Sequence, residues 1–235
     1  MLSLSRHAVA SAVAAFAASL AGADVVVGWS IPTALPVGPP PIGTDYVYGA
    51  ADSGANAAGS SLRGQHAAAA TAWTSPAGNG SQYSLSSNNW AIGDFYEIRF
   101  SALGYQDLFL SWDQTRSSTG PVNFELIMSI DGGANFTTLI ESYPVLQSGG
   151  GGAPGTWSTS TYNPIYGYVV DLGINPAINA DGQTDVMIRF RNLSVPGGSS
   201  GSGRIDNIVV TGVVPAPGAV ALLGLAGLAS RRRRR

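Results

Sequence analysis

The sequence has no cysteine and no lysine, and only two histidines, His7 and His66. Without cysteine there is no disulfide frame and no thiolate chemistry. Without lysine there is no P-loop, because that motif needs its lysine on the nucleotide phosphates. Zinc sites rich in histidine or cysteine are excluded for want of ligands. Charge is scarce too: 11% of the 235 residues are charged, against 45% apolar. That composition is not one of a disordered tail, and a core of this size needs no covalent staple.

All twelve basic residues are arginine, and five of them, Arg231, Arg232, Arg233, Arg234 and Arg235, end the chain. Between residues 24 and 214 stand six arginines and all fourteen acids, a net charge of −8. Phosphate backbones are held by basic clusters, so this stretch is not expected to bind nucleic acid. Its acidity suits solubility or calcium.

The two ends read as addresses. Arg6 precedes an alanine-rich apolar run from Ala8 to Leu20, followed by Ala21-Gly22-Ala23. One positive charge, about a dozen apolar residues and an A-x-A site predict a signal helix and signal peptide over residues 1–23, with cleavage between Ala23 and Asp24. At the other end, Pro215-Ala216-Pro217 leads into an apolar run from Ala219 to Ala229 and then the five arginines. As a helix this run covers about 17 Å, short of a hydrocarbon core of about 30 Å. The arginines are expected to stay on the cytoplasmic side. The pattern fits a short hydrophobic helix that holds the chain in the membrane until it is processed, with an ordinary membrane anchor as the alternative.

Pro215-Ala216-Pro217, the apolar run and the arginine block Arg231-Arg232-Arg233-Arg234-Arg235 together resemble the bacterial PEP-CTERM sorting signal, over residues 213–235. The resemblance implies an exosortase-type membrane protease and secretion machinery as partners. It also implies a cell-surface or extracellular destination and an association with exopolysaccharide and biofilm matrix. Ala216 stands where that family most often has glutamate.

Between the ends, residues 24–212 show a period of two. Tyr96, Ile98 and Phe100 share one face and Glu97, Arg99 and Ser101 the other. Leu108, Leu110 and Trp112 alternate likewise, as do Phe124, Leu126, Met128 and Ile130, and Val186, Ile188 and Phe190 against Arg189 and Arg191. A last strand is expected from Ile205 to Val210, and the only short helical candidate is Ala67 to Ala72. Clusters of glycine, serine, proline and asparagine punctuate the strands. Nine or ten short strands predict an all-β fold, an antiparallel jelly-roll-like β-sandwich in one domain.

Ser129-Ile-Asp131-Gly-Gly133-Ala-Asn-Phe136 fits S-x-D-x-G-x-x-F and resembles the Asp-box hairpin of sialidases and other extracellular β proteins. The resemblance implies a structural role, with Asp131 capping backbone N–H groups and Phe136 packed beneath. The run Gly203-Arg-Ile-Asp206-Asn207-Ile-Val-Val resembles the last strand of jelly-roll carbohydrate-binding and laminin-G-like modules. In some of those, an acid near this position binds calcium, so Asp206 is the candidate calcium ligand; a turn or inter-strand hydrogen bond is its ordinary reading.

No catalytic set emerges. His66, in Arg63-Gly-Gln-His66, lacks a nucleophile elbow and reads as an exposed loop residue. Asp94, Glu97, Asp113 and Glu125 are the carboxylates a glycoside-cleaving pair would draw on, and spacing does not bring any two together. Arg99, Arg189 and Arg191 opposite Glu97 fit either a polar groove or ordinary cross-strand ion pairs. Sugar stacking would use Tyr46, Tyr48, Trp73, Trp90, Tyr162, Tyr166 and Tyr168, all in loop-rich stretches, where core packing is the competing role. The leading expectation is a sorted, non-catalytic surface or matrix protein without a required cofactor. A polysaccharide-binding module, calcium-dependent or not, is the alternative, and a glycoside-active enzyme comes third.

Overall fold

A computed structural model describes residues 22–35, 39–149 and 155–215, and among these residues twelve strands and one short turn of helix form. The expected signal and C-terminal helices lie outside the described residues. So do Ala21, Ala216, Pro217 and the whole arginine block of Arg231, Arg232, Arg233, Arg234 and Arg235. Ala23 is half-buried, Asp24 is the exposed first residue of the first strand, and Pro215 is exposed. Among the described residues no helix is long and apolar enough to cross a membrane.

The strands are β1 (Asp24–Trp29), β2 (Asp45–Gly49), β3 (Ser61–Gln65), β4 (Trp73–Thr74), β5 (Leu85–Ser87), β6 (Phe95–Phe100), β7 (Gln106–Arg116), β8 (Asn123–Ser129), β9 (Thr137–Pro144), β10 (Gly167–Asp171), β11 (Val186–Asn192) and β12 (Gly203–Val213). They form two antiparallel sheets of six strands each, and the protein is an all-β sandwich. One sheet runs β10-β7-β12-β5-β4, with β1 also paired to β12; the other runs β2-β3-β6-β11-β8-β9. The eleven residues of β12 are long enough to seat β5 against Gly203–Ile205 and β1 against Ile208–Gly212 on the same edge. The Ala67 to Ala72 stretch is not helical but an irregular connection into β4.

Alternation places the core where the period of two predicts it. Leu108, Leu110 and Trp112 of β7 and Ile205, Ile208 and Val210 of β12 face Tyr96, Ile98, Phe100, Phe124, Leu126, Ile188 and Phe190 of the second sheet, all buried. The sheets lock through rings. Trp112 packs on Phe190 at 5.2 Å and edge-on to Tyr143 at 5.5 Å, while Trp90 stands edge-on to Tyr96 at 5.1 Å and to Phe124 at 5.4 Å. Such offset and edge-to-face pairs add about 1 kcal/mol each beyond the area they bury.

The outer face of the second sheet is a charge ladder. Glu97 is clasped by Arg63 at 2.7 Å and Arg189 at 2.6 Å, Arg191 pairs with Glu125, and Arg99 makes a two-pronged pair with Asp185. The cross-strand pairing reading of these arginines is the one the fold realises. Arg189 also lies 4.2 Å from the ring centroids of both Phe95 and Phe136, so the hairpin after β8 is bolted to the sheet by a cation held between two aromatic faces.

Candidate functional site

The outer face of the first sheet carries a different surface. On β7, Ser111 and Asp113 point away from the core that Leu110 and Trp112 enter. The partner β12 is broken by an irregular register between Asp206 and Val209, with Asn207 at φ 46° in the left-handed region that asparagine tolerates. This bulge turns the Asn207 amide onto Asp113, whose Oδ2 it reaches at 2.7 Å.

Asn79 joins three parts of the chain at this point. Its backbone N–H donates to Asp206 Oδ2 at 2.7 Å, and its side-chain amide donates to Asp113 Oδ2 at 3.0 Å and to the Asn163 carbonyl at 2.9 Å. Its own side-chain oxygen accepts from the Asn163 N–H, and its carbonyl accepts from the Asn207 amide. Asn163 in turn caps the single 3-10 turn Pro164–Tyr166, with Pro164 at a position that needs no N–H. The residue before it, Tyr162, is thereby fixed over the sheet. Gly80 is required here: at φ +73° it runs so close to Tyr162 that a Cβ would stand 2.8 Å from that residue's own Cβ.

The result is a groove of about 480 Å³ lined by Ser111, Asp113, Tyr162, Pro164, Gly167, Val169, Asn207 and Val209, among others. Tyr162 is 56% exposed, and Val169 and Ile165 beside it are exposed as well. Asp113 lines the groove with only 3% of its surface exposed; its Oδ2 holds two amide donors, and its Oδ1 is the oxygen beside Gly167. A Cβ on Gly167 would stand 3.2 Å from Asp113 Oδ1 and 3.4 Å from the Tyr162 hydroxyl. Glycine at 167 therefore keeps side-chain atoms away from the place where the Asp113 carboxylate, the Pro164 carbonyl and the Tyr162 hydroxyl converge. Burial raises the Asp113 carboxyl above the usual range, and the Asn207 and Asn79 amides pull it back.

Asp206 lies behind this groove, fully buried. Its Oδ2 accepts from the Ser81 hydroxyl at 2.5 Å and from Asn79 N–H, while Oδ1 has no partner. Burial pushes its pKa to about 7, with the Asp113 charge adding to the rise. The hydrogen-bonded reading of Asp206 is thus present in the fold. Among the described residues no three acidic, histidine or cysteine side chains gather as a metal cluster.

His66 departs from its expected place. It is buried between Trp73 and Trp90, with ring centroids at 4.9 and 4.2 Å. Its Nε2 lies 3.1 Å from Ser87 Oγ and its Nδ1 lies 3.4 Å from Asp94 Oδ2, the order of parts in an acyl-transfer triad. The sequence reading missed this because Ser87 and Asp94 reach His66 only through the pairing of β5 and the turn before β6. The serine is 1% exposed, and its oxygen also contacts the Tyr96 hydroxyl at 2.9 Å, so a substrate has no approach to it. Burial lowers the His66 pKa to about 4; the ring is neutral at pH 7 and its contact with Asp94 is not an ion pair there. A base so weak is poorly matched to proton abstraction at neutral pH. The array is a buried polar network under the aromatic core.

The other sequence-nominated groups divide as follows. Asp94 accepts from the backbone of Ala67 and Ala91, and Glu97 and Glu125 are taken up by arginines, so of the four carboxylates only Asp113 reaches the groove. Trp73, Trp90 and Tyr166, expected in loops, are buried, and Tyr46, Tyr48 and Tyr168 are partly buried. Tyr168 lines the groove while stacking on Trp112 at 5.2 Å. In the hairpin, Ser129 donates to Asp131 at 2.7 Å, and Asp131 accepts from the Asn135 backbone and side chain. Gly132 and Gly133 both have positive φ there.

No protein-family model matches the chain, and no curated protein matches it. Among solved structures, the K3 cleaved adhesin domain of Lys-gingipain from Porphyromonas gingivalis W83 is similar at 14% identity and a TM-score of 0.43, over 80% of this chain and 99% of that one. The CBM22-1–GH10 modules of Clostridium thermocellum endo-1,4-β-D-xylanase 10B, complexed with xylohexaose, are similar at 11% identity and a TM-score of 0.40, over 83% of this chain and 30% of that one. TmCBM61 in complex with β-1,4-galactotriose is similar at 12% identity and a TM-score of 0.34, over 65% of this chain and 88% of that one. These distant likenesses carry no function across.

Proposed function

We propose that this chain is an exported, non-catalytic surface protein whose β-sandwich, jelly-roll-like in kind, binds polysaccharide in the groove around Asp113 and Tyr162. The observation that carries the reading is the convergence of Asp113 Oδ1 and the Tyr162 hydroxyl above Gly167, beside an exposed ring. A sugar ring offers an apolar face for stacking and hydroxyls for a carboxylate oxygen, and this groove supplies both complements. Delivery belongs to the same proposal: the signal peptide of residues 1–23 exports the chain, and the PEP-CTERM-like tail of residues 213–235 holds it in the membrane for an exosortase-type protease.

The test is binding of the purified protein to exopolysaccharide from the producing cells, with and without Tyr162→Ala. Saturable binding weakened at least tenfold by the substitution is expected. Binding that is absent, or indifferent to Tyr162, sinks the groove and leaves a sorted matrix protein. Calcium is an arm of the same test, because the Asp206 run resembles modules in which an acid near that position binds it. Calcium there is expected to raise the melting temperature and EDTA to lower it; a melting curve indifferent to both removes calcium from the reading.

A further inference from the structure

Among the described residues, the groove carries a carboxylate and neutral hydroxyls but no cation. Of its lining side chains only Asp113 is charged. Both hydrogens of the Asn207 amide are spent, on Asp113 Oδ2 and on the Asn79 carbonyl. Among the described residues no arginine lines it. Arg63, Arg189, Arg191 and Arg99 sit on carboxylates of the other sheet, and Arg116 is spent on the carbonyls of Val145, Ser117 and Ser118. Arg204 stands at the end of β12 that pairs with β5. Behind Asp113 is a second carboxyl, Asp206, and the stretch between the two ends carries a net charge of −8. A uronate or sulfate brought to this surface meets like charge and no cation, only neutral hydroxyl donors such as Tyr162 and Ser111.

Resting on the polysaccharide-binding reading, we propose that the groove takes a glycan with free amino groups, an unacetylated hexosamine whose ammonium pairs with Asp113 Oδ1 and lies against the Tyr162 ring. An ammonium brings three donors and a positive charge to an oxygen that has lone pairs to spare. The face of an exposed tyrosine attracts the same cation. Acetylation removes the charge and adds bulk against Gly167 and Asp113.

The experiment titrates the full chain, at physiological salt, with a tetramer of glucosamine, its N-acetylated counterpart and a tetramer of galacturonate. The glucosamine tetramer is expected to bind at least tenfold more tightly than the acetylated one, with no binding of galacturonate. Asp113→Asn is expected to reduce that preference below twofold. Should that variant fail to fold, Gly167→Ala, which places a methyl group beside Asp113 Oδ1, is expected to weaken the glucosamine tetramer at least fivefold. Glu141→Gln, an exposed charge on β9, is expected to change nothing. The inference is overturned if the acetylated tetramer binds as well, if galacturonate binds, or if Glu141→Gln weakens binding as much as Asp113→Asn. If none of the tetramers binds while exopolysaccharide does, only the amino-sugar assignment falls. If no polysaccharide binds, the functional reading falls with it.

Discussion

Single residues in this protein do most when they hold others. Asn79 is 1% exposed, and its side-chain amide joins Asp113 to the Asn163 backbone, so Asn79→Ala leaves the Asp113 carboxyl and both Asn163 backbone groups each short of a partner, while its backbone bond to Asp206 survives. Each such loss costs about 1–3 kcal/mol, and the variant is expected to lose roughly 3 kcal/mol in urea unfolding. It is also expected to bind polysaccharide more weakly where still folded, since Tyr162 is released. His66 provides a second test. Its native pKa of about 4 lies below the ordinary 6.5, so the folded state binds fewer protons between those values. Its contribution, roughly 3 kcal/mol, is present above pH 6.5 and is lost as pH falls toward 4. An NMR titration of the ring checks this; a midpoint near 6.5 contradicts the burial argument. None of this was legible in Arg63-Gly-Gln-His66, because the neighbours that bury the ring, Trp73 and Trp90, come from other segments.

At the scale of elements, strands were the most readable feature. The alternation of Tyr96, Ile98 and Phe100 against Glu97 and Arg99 marks β6 and its buried face, and β8 and β11 follow the same rule. Their pairing was not readable, since β11 lies between β6 and β8 across long connections. The hairpin after β8 was legible as a local unit because its hydrogen bonds span two to four residues. Its Asp131 carboxyl, gripped by Asn135 and Ser129, is held down to about pKa 2. That contribution is present above about pH 4 and is lost as pH falls through 2, a window that carboxyl NMR resolves. The docking of this hairpin through Phe136 onto Arg189 appears only in three dimensions. Phe136→Ala is expected to speed hydrogen exchange in the hairpin while leaving the exchange of β12 unchanged.

For the whole molecule, two buried groups set opposing pH responses. Asp206, raised to about 7, binds its proton more tightly in the folded state, so its contribution is full below the unfolded carboxyl pKa and is lost as pH rises through 7. His66 acts in the reverse sense between 4 and 6.5, and the two offset each other across most of that range. Asp206→Asn, which keeps the shape without the charge, is expected to gain stability relative to the native chain as pH rises from about 4 to 7, by a few kcal/mol. A difference independent of pH contradicts the assignment. Trp112→Ala, at the contact of the two sheets, is expected to cost about 3–5 kcal/mol in denaturant unfolding. By itself the sequence determined the all-β class, the acidic and arginine-only charge pattern, the two terminal addresses as expectations, and the local hairpin, because each rests on period, composition or contacts a few residues apart. Only the tertiary structure decided the groove. Its parts are joined by hydrogen bonds between residues 34, 84, 94 and 127 positions apart, and no short-range pattern records which loops those bonds will bring together.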